Sequence, residues 1–213
     1  HEVHAATLTG DGDRAHLRHP DISLQSHIDD VVGLVEAEEL ENVVLVGHSY
    51  GGMVITGAAA ALQAATPGRV SGLIYVDAMA PYSGEGWGVG HTPEVAAARL
   101  AIAAEHGNAL PAPDPSEGFK LSVEDADWLR RRHVPHPFGM YREPLVYDET
   151  LLQSVPRQFI DCNDPGYPNI EPIRKRVRET PGWNVAEIAT GHFPMVTEPD
   201  ALVSHILSFV DGS

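Results

Sequence analysis

Ser49 lies in Gly47-His48-Ser49-Tyr50-Gly51, a G-x-S-x-G pattern that places a hydroxyl between small residues. A serine oxygen is a weak nucleophile until a neighbouring base takes its proton. The pattern points to nucleophilic chemistry only where a buried strand runs into a helix. Val43–Val46 is a continuous Val and Leu run, and an Ala-rich stretch follows Gly52. That context implies a turn so tight that side chains at the flanking positions would collide with neighbouring elements. The serine oxygen would then stand above the strand ends. The Tyr50 N–H, at the helix start, would point at an oxyanion formed beside it. The bland alternative is a glycine-rich turn with an incidental serine.

Such a serine needs a base and an acid. Of twelve histidines, His192 is the best placed, in Ala189-Thr190-Gly191-His192-Phe193-Pro194-Met195, between the last predicted strand and the last helix. The acid must accept the far imidazole N–H and hold its tautomer. Two aspartates follow predicted strands. Asp77 follows the strand after the serine's helix, and Asp164 follows the strand 157–162. On position alone Asp77 and Asp164 both stay open as the acid. Asp161 is disfavoured because it lies inside its strand.

The elements that must position these residues alternate. Glu2–Leu8 reads as a short strand, and residues 9–20 as a polar loop. Residues 24–39 carry apolar side chains at 24, 28, 31, 32 and 35, the stripe of an amphipathic helix with Ser23 as its cap. Strand 43–46, the helix to about residue 65 and strand 73–76 follow. Regular alternation resumes with strand 157–162, helix 172–179, strand 184–189 and helix 199–210. Alternating β and α segments with continuous apolar strands argue for an α/β fold with a mostly parallel, doubly wound sheet. Residues from about 81 to 154 break the rhythm, with many prolines and glycines and two predicted helices, 93–106 and 124–132. They read as a cap insert within one domain spanning residues 1–213. Ser122 and Asp125 are spaced like a capping box.

From first strand to last helix the chain resembles the α/β-hydrolase superfamily. More narrowly it looks like the small serine esterases related to plant methyl esterases and hydroxynitrile lyases. The resemblance is carried by Gly47-His48-Ser49-Tyr50-Gly51-Gly52, Val76-Asp77-Ala78-Met79-Ala80-Pro81 and Gly191-His192-Phe193-Pro194-Met195. It implies Ser49 as nucleophile and His192 as base. Asp164 matches the usual acid position of the superfamily, but it lies two residues after Cys162 and is followed at once by Pro165, a tight turn for that site. Val76-Asp77-Ala78-Met79-Ala80-Pro81 resembles the acid-bearing stretch of haloalkane dehalogenases, so the resemblance implies Asp77 as the acid, with Asp164 as the alternative. The family also has an early strand ending in His-Gly, whose loop gives a second oxyanion donor. The one His-Gly pair here is His106-Gly107, inside the insert. The expectation is therefore a fold shortened at its N-terminal side, with half of the oxyanion hole not visible and turnover lowered accordingly.

Composition narrows the partners. The 213 residues carry 14 Lys and Arg against 30 Asp and Glu, a net charge of −16, with 43% apolar residues. That is globular composition, and its acidity works against nucleic acid and anionic membrane. No 18-residue apolar span is present, and a cytoplasmic location is expected, with export left open. One cysteine, Cys162, sits in an apolar run and reads as a buried strand residue. His133-x-x-His136 is broken by Pro135 and Pro137, so no metal is expected. His48, Trp87, Trp128 and Phe193 are candidates for substrate contact, although Trp87 and Trp128, with Phe138, Tyr141 and Tyr147, equally suit a small core of the cap. The reading is a cofactor-free serine hydrolase of a small, fairly apolar carboxylic ester, working through a Ser-His-Asp triad. A non-catalytic small-molecule-binding protein, or a hydroxynitrile lyase using Lys120, is the alternative on the same fold. Association into a homo-oligomer is left open.

Overall fold

The computed structural model describes residues 1–89 and 91–212. Four parallel strands form the main sheet in the order β1-β2-β5-β6, with β1 at Val43–His48, β2 at Val70–Val76, β5 at Arg157–Cys162 and β6 at Trp183–Ile188. Between β2 and β5 a second, two-stranded antiparallel ladder pairs β3 (Ala109–Leu110) with β4 (His136–Pro137). The helices are α1 (Leu24–Ala37), α2 (Gly51–Ala65), α3 (Pro93–Glu105), α4 (Val123–Arg132), α5 (Glu171–Glu179), α6 (Pro194–Thr197) and α7 (Pro199–Gly212).

Period-two alternation divides the core into two layers. Leu73, Tyr75 and Phe159 pack with α1, α2 and α5, while Ile74, Val76 and Ile160 pack with Leu202 and Phe209 of α7. The sheet is therefore covered on both faces, as its apolar strands require. The small residues of α2 bring it against its neighbours: a Cβ on Gly57 would lie 2.3 Å from Ile28 of α1. Ser23 caps α1 as expected, accepting from the Ser26 N–H while the Ser23 N–H bonds the Ser26 hydroxyl. Ser122 caps α4, accepting from the Asp125 N–H at 3.0 Å.

Glu2–Leu8 is not a strand. Its pattern suits one, but a strand exists only through a ladder to a partner, and among the described residues none lies alongside. The segment is anchored at its end, where the Thr9 N–H and hydroxyl bond Asp30 at 2.6 and 2.8 Å. The polar loop that follows contains a 3₁₀ turn, Gly12–Leu17.

The segment between β2 and β5 carries α3, α4, the β3–β4 ladder and two 3₁₀ turns, Phe138–Tyr141 and Glu149–Leu152. It touches the carboxyl ends of the sheet strands. The Tyr141 ring lies edge-on to Tyr50 at 5.8 Å, Phe119 lies over Gly191, and Lys120 Nζ reaches Asp164 at 2.6 Å. Among the described residues, no helix is long and apolar enough to cross a membrane.

Candidate active site

The elbow after β1 is built from close approaches. Ser49 has φ 53°, in the left-handed region. A Cβ on Gly47 would lie 2.6 Å from the Gly51 carbonyl oxygen, and one on Gly52 would lie 1.8 Å from the Met79 oxygen. Only glycine fits either position. The Ser49 N–H donates to Val76 O at 3.3 Å and the Met79 N–H returns to Ser49 O at 3.0 Å, so the elbow and the turn after β2 are one unit. That turn holds Asp77 at φ 41°.

Three loops at one sheet edge then bring their side chains together. The His192 Nδ1–H donates to Asp77 Oδ2 at 2.6 Å, and the Ser49 hydroxyl donates to His192 Nε2 at 3.0 Å. Asp77 is wholly buried and His192 nearly so. The carboxylate holds the tautomer in which Nε2 is free to accept, the arrangement a base needs. Tyr50 stands at the N-cap of α2, and its N–H makes no hydrogen bond among the described residues. Its side chain is anchored below: the Tyr50 hydroxyl bonds His27 Nδ1 at 3.1 Å.

His48, between Gly47 and the serine, braces the base. Its Nε2–H donates to the His192 carbonyl at 2.6 Å, and the two rings lie 4.5 Å apart. Burial, reinforced by proximity to His192, pulls its pKa down to about 3. It is thus a neutral donor at physiological pH. Phe193 packs 5.9 Å from His48 and 5.5 Å from His192.

The remaining candidates fall elsewhere. Asp164 is exposed and ion-paired with Lys120, away from His192 Nδ1, and Lys120 is likewise committed to that surface pair. Asp161 is in β5, bound by Arg174 and Arg178. Trp87 packs tilted against Tyr141 at 3.8 Å beneath Arg99, within the insert's own core. Trp128 is on the exposed side of α4 under Arg132. Among the described residues, neither tryptophan makes a ring contact or hydrogen bond with Ser49 or His192. Cys162 is fully buried, and burial pushes its thiol pKa up, so it is no nucleophile.

Two aromatic neighbours of the base were not singled out from sequence. The Tyr167 ring lies 4.3 Å from His192 and the Phe119 ring 6.2 Å. Both come from irregular segments whose path no periodicity foretells.

Comparisons with known proteins bear on the family and the fold. Residues 1–205 match the sequence model of the Alpha/beta hydrolase family. The carbendazim hydrolyzing esterase of Nocardioides sp. (strain SG-4G) is 36% identical over 219 positions, spanning 97% of this chain and 87% of the relative. An extracellular alpha/beta-hydrolase from a Paenibacillus species superposes with a TM-score of 0.79 at 19% identity, over 94% of this chain and 84% of that one. Polyneuridine aldehyde esterase superposes at 0.69 with 19% identity, over 95% and 85% of the two chains. At such identities the two structures speak for the fold, whereas the family match and the 36% relative speak for descent. The chain belongs to the alpha/beta hydrolase family, among its esterases.

Proposed function

We propose that the protein is a serine hydrolase that cleaves small, fairly apolar carboxylic esters through an acyl-enzyme, with Ser49, His192 and Asp77 as its triad. The observation that carries this reading is the unbroken chain of hydrogen bonds from Asp77 through His192 to Ser49, at 2.6 and 3.0 Å. Ser49 Oγ attacks the ester carbonyl as His192 Nε2 takes its proton. Asp77 stabilises the imidazolium, and the Tyr50 N–H faces the oxyanion. Collapse of the adduct breaks the carbon–oxygen bond to the alcohol, which leaves with the proton from His192. Water, deprotonated by His192, then attacks the acyl-serine. Its proton returns to Ser49 as the acid departs.

The substrate class follows from the walls around the base. Phe119, Tyr167 and Phe193 surround His192, and the nearest buried cation, Arg174, faces carboxylates. These walls favour a neutral acyl or aryl group over a phosphorylated one. Phe193 and His48 are the residues proposed to meet it. The partner is a small molecule, not nucleic acid or membrane, and the chemistry needs no cofactor.

The test is pre-steady-state hydrolysis of p-nitrophenyl acetate and butyrate. A burst of p-nitrophenol equal to the enzyme concentration, absent in Ser49→Ala, is the expected result. Release without a burst that persists in Ser49→Ala would overturn the acyl-enzyme.

A further inference from the structure

Arg174 of α5 is the most heavily engaged buried cation among the described residues, with its side chain 5% exposed. Its Nη2 donates to Asp77 Oδ1 at 2.6 Å and to Cys162 O at 3.1 Å. Its Nε donates to Asp161 Oδ1 at 2.6 Å. Its Nη1 donates to Tyr167 O at 2.9 Å and to Glu171 at 3.3 Å. Every N–H of the guanidinium thus has an acceptor. The turn between β5 and α5 wraps it closely: a Cβ on Gly166 would lie 3.1 Å from Nη1.

The two oxygens of Asp77 are therefore divided. Oδ2 faces His192 and Oδ1 is gripped by Arg174. A carboxylate at the end of a freely rotating bond has no reason to present one oxygen to an imidazole. Here a planar fork, itself locked to Asp161, fixes the carboxylate plane. Asp161 is held from its other side by Arg178 Nη2 at 2.5 Å. Through the Tyr167 carbonyl the same guanidinium also sets the residue whose ring lies 4.3 Å from His192.

We propose that Arg174 is a positioning residue for the reaction: it aims Asp77 at His192, and with Tyr167 it fixes the imidazole from two sides. This inference rests on the Ser49–His192–Asp77 reading. A lysine at 174 would keep the charge but could not span both carboxylates, so Arg174→Lys should be impaired as well.

The test uses Arg174→Met, Arg174→Lys and, as a control, Arg178→Met, which loosens Asp161 without touching Asp77. Two readouts are taken from proteins that circular dichroism shows to be folded. In the first, hydrolysis of p-nitrophenyl acetate, Arg174→Met should lose about 10²-fold in kcat with KM little changed. Low, non-denaturing guanidinium should restore part of the loss. The second is independent of turnover: the downfield proton NMR signal of His192 Nδ1–H, assigned by its absence in His192→Ala. It should shift or broaden in both Arg174 variants and persist in Arg178→Met. An unchanged signal and unchanged kcat in Arg174→Met would overturn the inference. Where Arg174→Met does not fold, Arg174→Lys decides by the same two readouts. A wild-type protein with no hydrolysis whose downfield signal still responds to Arg174 would sink the hydrolase reading and, with it, a role in the reaction, and leave standing only that Arg174 sets the Asp77–His192 contact.

Discussion

At the scale of single residues, two aspartates that close parallel strands at one sheet edge have opposite fates. Asp77 has no exposed surface and both oxygens bound, one by His192 and one by Arg174. Asp164 is over half exposed and paired with a lysine. An exposed pair of that kind contributes at most about 1 kcal/mol, and its loss leaves the base untouched. Asp77→Asn should therefore reduce kcat by about 10⁴-fold, because the amide can present an N–H where the imidazole needs an acceptor. Asp164→Asn should stay close to wild type. Steady-state hydrolysis of p-nitrophenyl acetate by the two variants checks this, and the reverse order would move the acid to Asp164. The same comparison marks what sequence can say about the site. The G-x-S-x-G turn locates Ser49, and the loop after the last strand locates His192. Both aspartates stand just past a strand, and it is the likeness of Val76-Asp77-Ala78-Met79-Ala80-Pro81 to an acid-bearing stretch that ranks Asp77 first. Which of them meets His192 is a matter of tertiary contact, and the helix Glu171–Glu179, whose Arg174 holds Asp77, reads simply as a charged helix. Nothing in its spacing reveals that one of its arginines turns inward.

At the scale of elements, the base loop and the insert meet backbone to backbone. A Cβ on Gly191 would lie 2.4 Å from the Phe119 carbonyl oxygen, a rigid group that cannot swing aside. Gly191→Ala must displace either the Phe119 segment of the insert or His192 itself. Overpacking of this kind costs about 1–3 kcal/mol. Urea denaturation should show that loss, and turnover should fall with it. Wild-type stability in Gly191→Ala would mean that the insert does not rest on the base loop. The four sheet strands and the helices packed on them, α1, α2, α5 and α7, were legible because their apolar periodicity coincides with real burial on both faces of the sheet, whereas the four-residue α6 was not read. Glu2–Leu8 was misread because pattern records a residue's preference, whereas a strand also needs a neighbour. The two-residue strands β3 and β4 are too short to leave a pattern at all.

At the scale of the whole molecule, acid should be the weak direction. His27 is fully buried, with Nε2–H donating to Thr9 O at 2.9 Å and Nδ1 accepting from the Tyr50 hydroxyl. Burial lowers its pKa below the ordinary 6.5, and His48 is lowered to about 3, chiefly by burial. Each folded-state imidazole takes a proton less readily than its unfolded counterpart. Their stabilisation is present above pH 6.5 and is lost as pH falls below it, toward the folded-state values. The urea midpoint should drop between about pH 7 and pH 5, and His27→Gln, which cannot take up a proton, should flatten that drop. A midpoint independent of pH over this range would contradict the burial of neutral histidines. The same network would tie folding to chemistry, since His27 holds the hydroxyl of Tyr50, the residue whose N–H is proposed to face the oxyanion.

The central claim is that Ser49 and His192 form a working nucleophile–base pair with Asp77 behind them, and intact-mass spectrometry after exposure to a fluorophosphonate tests it most directly. The account predicts one phosphonyl adduct per wild-type chain, none on Ser49→Ala or His192→Ala, and strongly slowed labelling of Asp77→Asn. A folded wild-type chain that takes up no adduct, or a Ser49→Ala variant that labels as fast as wild type, would contradict it.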